Sequence, residues 1–169
     1  KLSENLFAGL APWVRRLPGR LTHVNVLGST IFAAVSGSSA ATTATVGRIT
    51  LPELTKLGYN KSFVAGALAG SGTIGFLIPP SIPLIVYGVL AEVSILKLFM
   101  AGIIPGLILA LLFMIYIGVR ATISPELAPS TSDSTTMLFK LKSLLKLLPT
   151  FLLISFVVGS MYAGFASVT

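Results

Sequence analysis

Charged residues divide this chain into apolar stretches of different lengths. Residues 24–47 and 62–91 carry no charged side chain, and the same holds for residues 98–119 and 147–166. A helix that crosses the hydrocarbon core of a bilayer, about 30 Å thick, needs about 20 predominantly apolar residues. The pattern therefore predicts an all-α polytopic membrane protein.

The composition agrees with that class. Of the 169 residues, 54% are hydrophobic and 10% are charged, whereas a soluble domain carries about 25% charged residues. The formal net charge is +7. Basic residues at membrane edges set topology, so this excess does not indicate nucleic-acid binding. The chain has no cysteine, which excludes a disulfide, a thiolate metal site and a cysteine nucleophile.

The first two segments are predicted to meet the membrane without crossing it. Residues 1–23 read as an interfacial amphipathic segment, with Trp13 at headgroup level. Residues 24–50 read as a re-entrant helical hairpin, because basic residues flank both ends and residues 36–38 are Ser-Gly-Ser. Each arm of about 12 residues rises about 18 Å. The tip would then lie just past the midplane of the bilayer, with both ends in the cytoplasm.

Residues 62–91 are predicted to form a discontinuous transmembrane helix. A continuous helix of this length would measure about 45 Å, which is too long for an untilted span. Its centre contains a glycine-rich run at residues 70–75, followed by Pro79, Pro80 and Pro83. Glycine disfavours a helix, and proline removes backbone donors. Two half-helices are expected, joined by an unwound segment that lines a cavity or lies buried in protein.

The remainder of the chain predicts simpler elements. Residues 92–97 form a short external loop, and residues 98–120 form a plain transmembrane helix. Residues 121–139 read as a cytoplasmic linker, because serine, threonine and proline are frequent there. Residues 140–169 predict a further transmembrane helix, whose basic flank places the linker inside.

Two interrupted elements, adjacent in sequence, favour a binding site over packing alone. Secondary transporters bind substrates and ions at broken helices near the midplane. Freed carbonyl oxygens and Ser or Thr hydroxyls suit a sodium ion, while half-helix amino termini suit a carboxylate. The alternative is that serine and glycine serve only close packing of membrane helices.

Individual polar residues also have two interpretations. Thr42, Thr43 and Thr45 either line a polar path or bond back to their own helix. His23, the only histidine, is a proton relay or an interfacial, capping residue. Arg48 either extends to the headgroups or meets an anionic substrate.

An enzyme is not expected. Ser71 lies in Ala-Gly-Ser-Gly at residues 69–72, which lacks the first glycine of the G-x-S-G pattern. The only histidine lies in a distant segment, and residues 24–47 and 62–91 contain no carboxylate. The chain also has no G-x-x-x-x-G-K-[ST] phosphate loop.

A set of short motifs gives the chain a family resemblance. The motifs are IFAAVSGSSAAT at 31–42, LPEL at 51–54, GY at 58–59, GTIG at 72–75, IPPSIP at 78–83, YG at 87–88 and AGIIPG at 101–106. Their combination resembles the large membrane subunit of tripartite ATP-independent periplasmic (TRAP) transporters. Two positions depart from many members of the family, which have aspartate in place of Thr42 and proline in place of Phe76.

The resemblance implies a fold and an activity. The large subunit is an elevator-type transporter with two inverted repeats, and this chain corresponds to the end of the first repeat and the start of the second, at residues 140–169. It is expected in the bacterial inner membrane. There it would take up C4-dicarboxylates, sialic acids or similar organic anions, driven by sodium. A periplasmic binding protein and a small membrane subunit are the expected partners.

The resemblance also assigns residues to the site. A sodium ion would lie between the hairpin tip and the broken helix, with the tip residues facing the second group. The candidate sodium-binding residues are Ser36, Gly37, Ser38, Ser71, Gly72 and Thr73. The candidate substrate-binding residues are Ser39, Thr42, Pro79, Pro80 and Ser81.

Two other hypotheses stay open on sequence alone. One is a related elevator-type carrier that works without a binding protein. The other is a structural or inactive remnant. Because the chain begins at Lys1 rather than methionine and an apolar segment runs to its end, it is expected to be a fragment or a truncated product that lacks membrane segments on both sides, including the second hairpin.

Overall fold

A computed structural model describes residues 2–129, 143, 145 and 147–162 of the chain. Within that part all regular structure is helical. The α-helices are α1 (Leu2–Val14), α2 (His23–Ser36), α3 (Ser39–Lys56), α4 (Lys61–Gly72), α5 (Ile82–Leu90), α6 (Ile95–Ile123) and α7 (Leu148–Tyr162). Short 3-10 helices cover Arg20–Thr22, Thr73–Phe76 and Pro125–Leu127.

Helix α2 lies at the centre and contacts α1, α3, α4 and α6. Two clusters of buried apolar side chains surround it. The first joins Leu10 and Val14 of α1 to Val24 of α2 and Leu54 of α3. On the outer side of α1, Trp13 keeps 42% of its surface exposed. The first helix therefore buries one apolar face against the fold, and the interfacial amphipathic segment over residues 1–23 stays a prediction.

Two residues, Gly37 and Ser38, separate α2 from α3. Gly37 adopts a left-handed conformation with φ of 62°, and its N–H donates to the carbonyl oxygen of Ala33 at 3.0 Å. Glycine is the residue that reaches this conformation without a steric penalty. Ser38 then caps α3, because its side chain accepts a hydrogen bond from the N–H of Ala41. Helix α3 runs to Lys56, beyond the predicted end at residue 50, and the fully buried Leu54 packs this extension against the core.

A longer irregular segment separates α4 from α5. Helix α4 continues through Gly72, a 3-10 turn covers Thr73–Phe76, and residues 77–81 are non-helical. The break begins inside the glycine run and extends beyond it, where Pro79 and Pro80 remove backbone donors. Pro83 falls in the first turn of α5, where its missing N–H costs nothing.

Helix α6 is the one helix in the described part of the chain that is long and apolar enough to cross a membrane. Its Gly102 and Gly106 face Leu77 and Ile78 of the irregular segment, where a β-carbon on either glycine would overlap a neighbouring atom. The small residues therefore bring α6 against the break. Helix α6 begins at Ile95, so it includes residues that the sequence predicts as loop.

The last two predicted segments are described only in part. The predicted linker, residues 121–139, begins as the end of α6 and continues into Pro125–Leu127. Ala128 beyond it is buried, so this beginning packs on the fold and is not a free linker. Residues 130–142 lie outside the described residues. The predicted helix over 140–169 contains α7.

Candidate functional site

The two interruptions meet, backbone against backbone. The N–H of Ile82, the first residue of α5, donates to the carbonyl oxygen of Gly37 at 3.2 Å. A β-carbon on Gly37 would lie 2.7 Å from the carbonyl oxygen of Pro80. A second close approach joins Gly75 to Ser39, where a β-carbon on the glycine would lie 3.1 Å from the serine backbone. These contacts define the crossing, formed by residues 36–39 and 75–82.

Two helices begin at the crossing, beside one cleft. Helix α3 starts after Ser38 and helix α5 starts after Ser81. The cleft next to them has a volume of about 340 Å³, and its lining includes Ser38, Ser39, Ile82 and Pro83. The amino terminus of a helix carries unpaired N–H groups and a partial positive charge. The arrangement therefore offers an anion two helix ends at one place.

Two helical segments also end at the crossing. Helix α2 ends at Ser36, and the 3-10 turn that follows α4 ends at Phe76. The Ser36 hydroxyl lies 2.7 Å from the hydroxyl of the fully buried Thr42 and 3.3 Å from the carbonyl oxygen of Ser38. In the described residues, no group of three or more histidine, aspartate or glutamate side chains is placed to hold a metal ion. A cation bound here would be held by neutral oxygens.

The predicted sodium-binding residues of the broken helix contact side chains of α2 and α3 and carbonyl oxygens of their own helix. The hydroxyl of Ser71 lies 3.3 Å from that of Ser29 in α2 and bonds the carbonyl oxygen of Leu68. Gly72 faces the Thr43 side chain of α3. The exposed Thr73 donates to the carbonyl oxygen of Gly70 at 2.7 Å. The facing of residues 36–38 and 71–73 stays a prediction, and the backbone contacts of residues 37–39 described above are with Gly75, Pro80 and Ile82.

The predicted substrate-binding residues also occupy different places. Ser39 lines the cleft. Pro79 is buried, and Pro80 packs against Gly37. Ser81 is fully buried and donates to the carbonyl oxygen of Phe76 at 2.7 Å.

Sequence reasoning missed four residues that line the cleft, namely Ala40, Phe76, Ile82 and Pro83. Ala40 and Ile82 belong to the first turns of α3 and α5. The sequence could have indicated these two residues by their position directly after each interruption. The first residues of a half-helix are the ones that face a ligand bound at the amino terminus of that helix.

The structure gives hydrogen-bond partners for three of the polar residues with two interpretations. Thr43 bonds back to the carbonyl oxygen of Ser39 in its own helix, whereas Thr42 bonds Ser36 across the hairpin. His23 is 2% exposed, and its Nε2 donates to the carbonyl oxygen of Pro18 at 2.5 Å. Burial lowers the pKa of this imidazole, which favours the neutral ring. Arg48 is exposed beside Phe7 and Glu53.

Comparison with known proteins gives the family. The sequence profile described as "Tripartite ATP-independent periplasmic transporter, DctM component" matches residues 1–169. The chain belongs to the DctM family. Membership places it among membrane transport permeases.

Three relatives of this DctM chain show the range of the family. A C4-dicarboxylate TRAP transporter large permease protein of Pseudomonas aeruginosa is 40% identical over 89% of this chain and 35% of its own length. An isethionate TRAP transporter permease protein of Oleidesulfovibrio alaskensis is 48% identical over 59% of this chain and 16% of its own length. A sialic acid TRAP transporter large permease protein of Vibrio cholerae is 37% identical over 68% of this chain and 27% of its own length. The chain thus spans about a third or less of these relatives.

Proposed function

We propose that this DctM chain supplies half of a coupled site in a TRAP large permease. The permease would carry small organic anions across the bacterial inner membrane, driven by sodium. The observation that carries the proposal is the crossing itself, where α3 and α5 begin beside one cleft and are joined by the bond from Ile82 N–H to the Gly37 carbonyl. Broken helices that meet in this way are typical of substrate and ion sites in secondary transporters.

The anion would be held at the two helix amino termini. Ser39 and Ala40 of α3 and Ile82 of α5 line the cleft, and the first turn of α5 has no side-chain cap. The Ile82 N–H already bonds the Gly37 carbonyl, and Pro83 has no N–H. A carboxylate or sulfonate would therefore meet the first N–H groups of α3, at Ser39 and Ala40, and the positive end of the α5 dipole. Dicarboxylate, isethionate and sialic acid appear in the names of the relatives, and each carries such a group. We infer a small organic acid as substrate.

Sodium would be held on the carbonyl side of the crossing. Ser36, Gly37 and Ser38 supply hydroxyl and carbonyl oxygens from the tip, and backbone oxygens of residues 75–80 supply the other side. Ser71, Gly72 and Thr73 set the position of that segment, since they contact Ser29, Thr43 and Gly70. Hydroxyl and carbonyl oxygens carry no formal charge, so such a site suits a cation of single charge such as sodium.

The remaining assignments rest on the family. The α2–α3 pair would enter the membrane as a re-entrant hairpin, and α4–α5 would cross it as a discontinuous helix. Together they would move as part of an elevator-type transport domain built from inverted repeats. A small membrane subunit would brace the large one, and a periplasmic binding protein would deliver the substrate.

Uptake into liposomes tests the proposal. The intact large permease that contains this chain is reconstituted with its small subunit, and a binding protein loaded with labelled organic acid is added, with or without an inward sodium gradient. We expect uptake only when both sodium and the binding protein are present. Sodium-driven uptake without a binding protein would instead identify a carrier that works alone, and uptake independent of sodium would contradict the coupling.

A further inference from the structure

A wedge-shaped cavity separates α4 from α6 at the edge of the fold, away from the crossing. The two helices touch where a β-carbon on Gly70 would lie 2.7 Å from the Phe113 ring. One turn earlier in α4, a β-carbon on Gly66 would meet no atom within 4 Å. The helices therefore diverge from Gly70 towards Ser62, and the space between them is a cavity of about 360 Å³.

The wide end of the cavity is polar and positively charged. Asn60, Ser62 and Arg120 line it, and Lys61 is the first residue of α4. No carboxylate is among its lining residues. In the described part of the chain, the Arg120 guanidinium has no ion-pair partner, and the nearby Glu126 lines a neighbouring cavity with Arg20. A planar guanidinium offers five N–H donors in a geometry that matches phosphate.

The narrow end is apolar. Gly66 and Ala67 form its α4 wall, and the Tyr116 side chain lies opposite on α6. Gly66 is one turn beyond Ser62, and Tyr116 is one turn before Arg120, so each helix rises about 6 Å from the polar end to the apolar end. Tyr116 is 60% exposed, and Leu112, one turn before it on the same face of α6, is 56% exposed. The apolar end therefore continues onto an exposed apolar face, which we expect to border hydrocarbon.

We propose that the cavity between α4 and α6 binds an anionic phospholipid. The phosphate would bond Arg120 and the Ser62 hydroxyl at the polar end, and an acyl chain would lie along Gly66 and Ala67. A basic pocket between membrane helices is suited to such a headgroup. The apolar extension distinguishes a lipid from a free anion, because a free anion leaves that half of the cavity unfilled.

Lipid binding is measured on the intact permease complex by native mass spectrometry, with phosphatidylglycerol and phosphatidylcholine added at equal concentrations. Wild-type protein should retain phosphatidylglycerol preferentially. Arg120→Gln should weaken that retention about fivefold, the amount expected for one basic residue at an anionic headgroup. Lys97→Gln, which removes a cation from the other end of α6, should leave retention unchanged.

Gly66→Leu provides a second variant, because a β-carbon on Gly66 would meet no protein atom within 4 Å and the side chain would extend into the apolar end. It should reduce retention of phosphatidylglycerol, whereas Gly159→Leu should not, although Gly159 is equally free of neighbours within 4 Å. Equal retention of the two lipids, or unchanged retention in both Arg120→Gln and Gly66→Leu, would overturn the proposal. Displacement of the lipid by inorganic phosphate alone would identify a free-anion site instead. None of these outcomes depends on transport, so they are separate from the test of the proposed function.

Discussion

The two interruptions at the crossing are built by different means. Between α2 and α3 two residues suffice, because Gly37 takes a left-handed conformation and Ser38 caps the next helix. Between α4 and α5 the break covers residues 73–81, with a 3-10 turn followed by a proline-rich non-helical segment. The first break depends on the absence of a side chain, and the second depends on the absence of backbone donors.

This difference predicts where substitutions are tolerated. At Gly37 the nearest obstacle to a side chain is a backbone oxygen, that of Pro80. At Gly72, in the last turn of α4, the obstacle is the side chain of Thr43. A backbone obstacle cannot move without disturbing the crossing, whereas a side chain can be removed by mutation.

The largest effect is expected for Gly37→Ala. The new methyl group meets the Pro80 carbonyl and also forces alanine into φ of 62°, so we expect a loss of about 3 kcal/mol in the free energy of unfolding. Gly58→Ala is the matched control, because Gly58 has φ of 84° but its nearest neighbour lies 3.6 Å away. That variant should lose about 1 kcal/mol.

Denaturation of the purified permease, together with uptake in liposomes, measures both variants. Gly37→Ala should also lose uptake, and Gly58→Ala should retain most of it. Equal destabilisation of the two variants would mean that position 37 needs glycine because of its left-handed backbone conformation, and not because of the contact with Pro80.

A smaller loss of stability, which a second substitution can rescue, is expected for Gly72→Ala. Its methyl group overlaps the Thr43 side chain, which should destabilise the protein by about 2 kcal/mol. Adding Thr43→Ala should restore part of that loss, because the overlapping hydroxyl is removed. The thermal midpoints of the two single variants and the double variant measure the rescue. A double variant no more stable than Gly72→Ala would contradict the distinction between the two breaks.

The smallest effect is expected between the helix bodies, away from the crossing. The hydroxyls of Ser29 and Ser71 are buried and lie 3.3 Å apart. A double-mutant cycle with alanine should give a coupling energy of about 1 kcal/mol. The sodium dependence of uptake should change less in the Ser29 and Ser71 variants than in a variant of the tip serine Ser38, because Ser71 positions the sodium-binding segment without binding the ion. A larger change in the Ser71 variant would place the ion at Ser71 and not at the tip.

The sequence predicts the helical class and the two interruptions because each leaves a compositional trace. Charges bound the apolar stretches, and glycine with serine marks the tip. The resemblance to TRAP large subunits, carried by short motifs such as IPPSIP at 78–83, is confirmed by the profile match over the whole chain.

The partners at the crossing could not be predicted in the same way. Charge and length arguments place a break within a stretch but not at a residue. The glycine run at 70–75 alone does not locate the break, since tertiary packing against Thr43 and Ser39 favours glycine in a structure that stays helical through Gly72. The contact between Gly37 and the Pro80 carbonyl depends on how α4 and α5 pack against α2 and α3. No local sequence pattern predicts that packing.

The most direct test of the account compares two helix-capping serines. Ser38 caps α3 at the crossing, and Ser94 caps α6 elsewhere; their hydroxyls accept from the N–H of Ala41 at 3.3 Å and of Lys97 at 3.4 Å. Each alanine variant should lose about 1 kcal/mol of stability with its cap. The sodium concentration that gives half-maximal uptake then separates them.

We predict that Ser38→Ala raises this concentration about tenfold, equivalent to about 1.4 kcal/mol of binding free energy, and that Ser94→Ala leaves it unchanged. An equal response of the two variants, shifted or not, would contradict a sodium site at the hairpin tip.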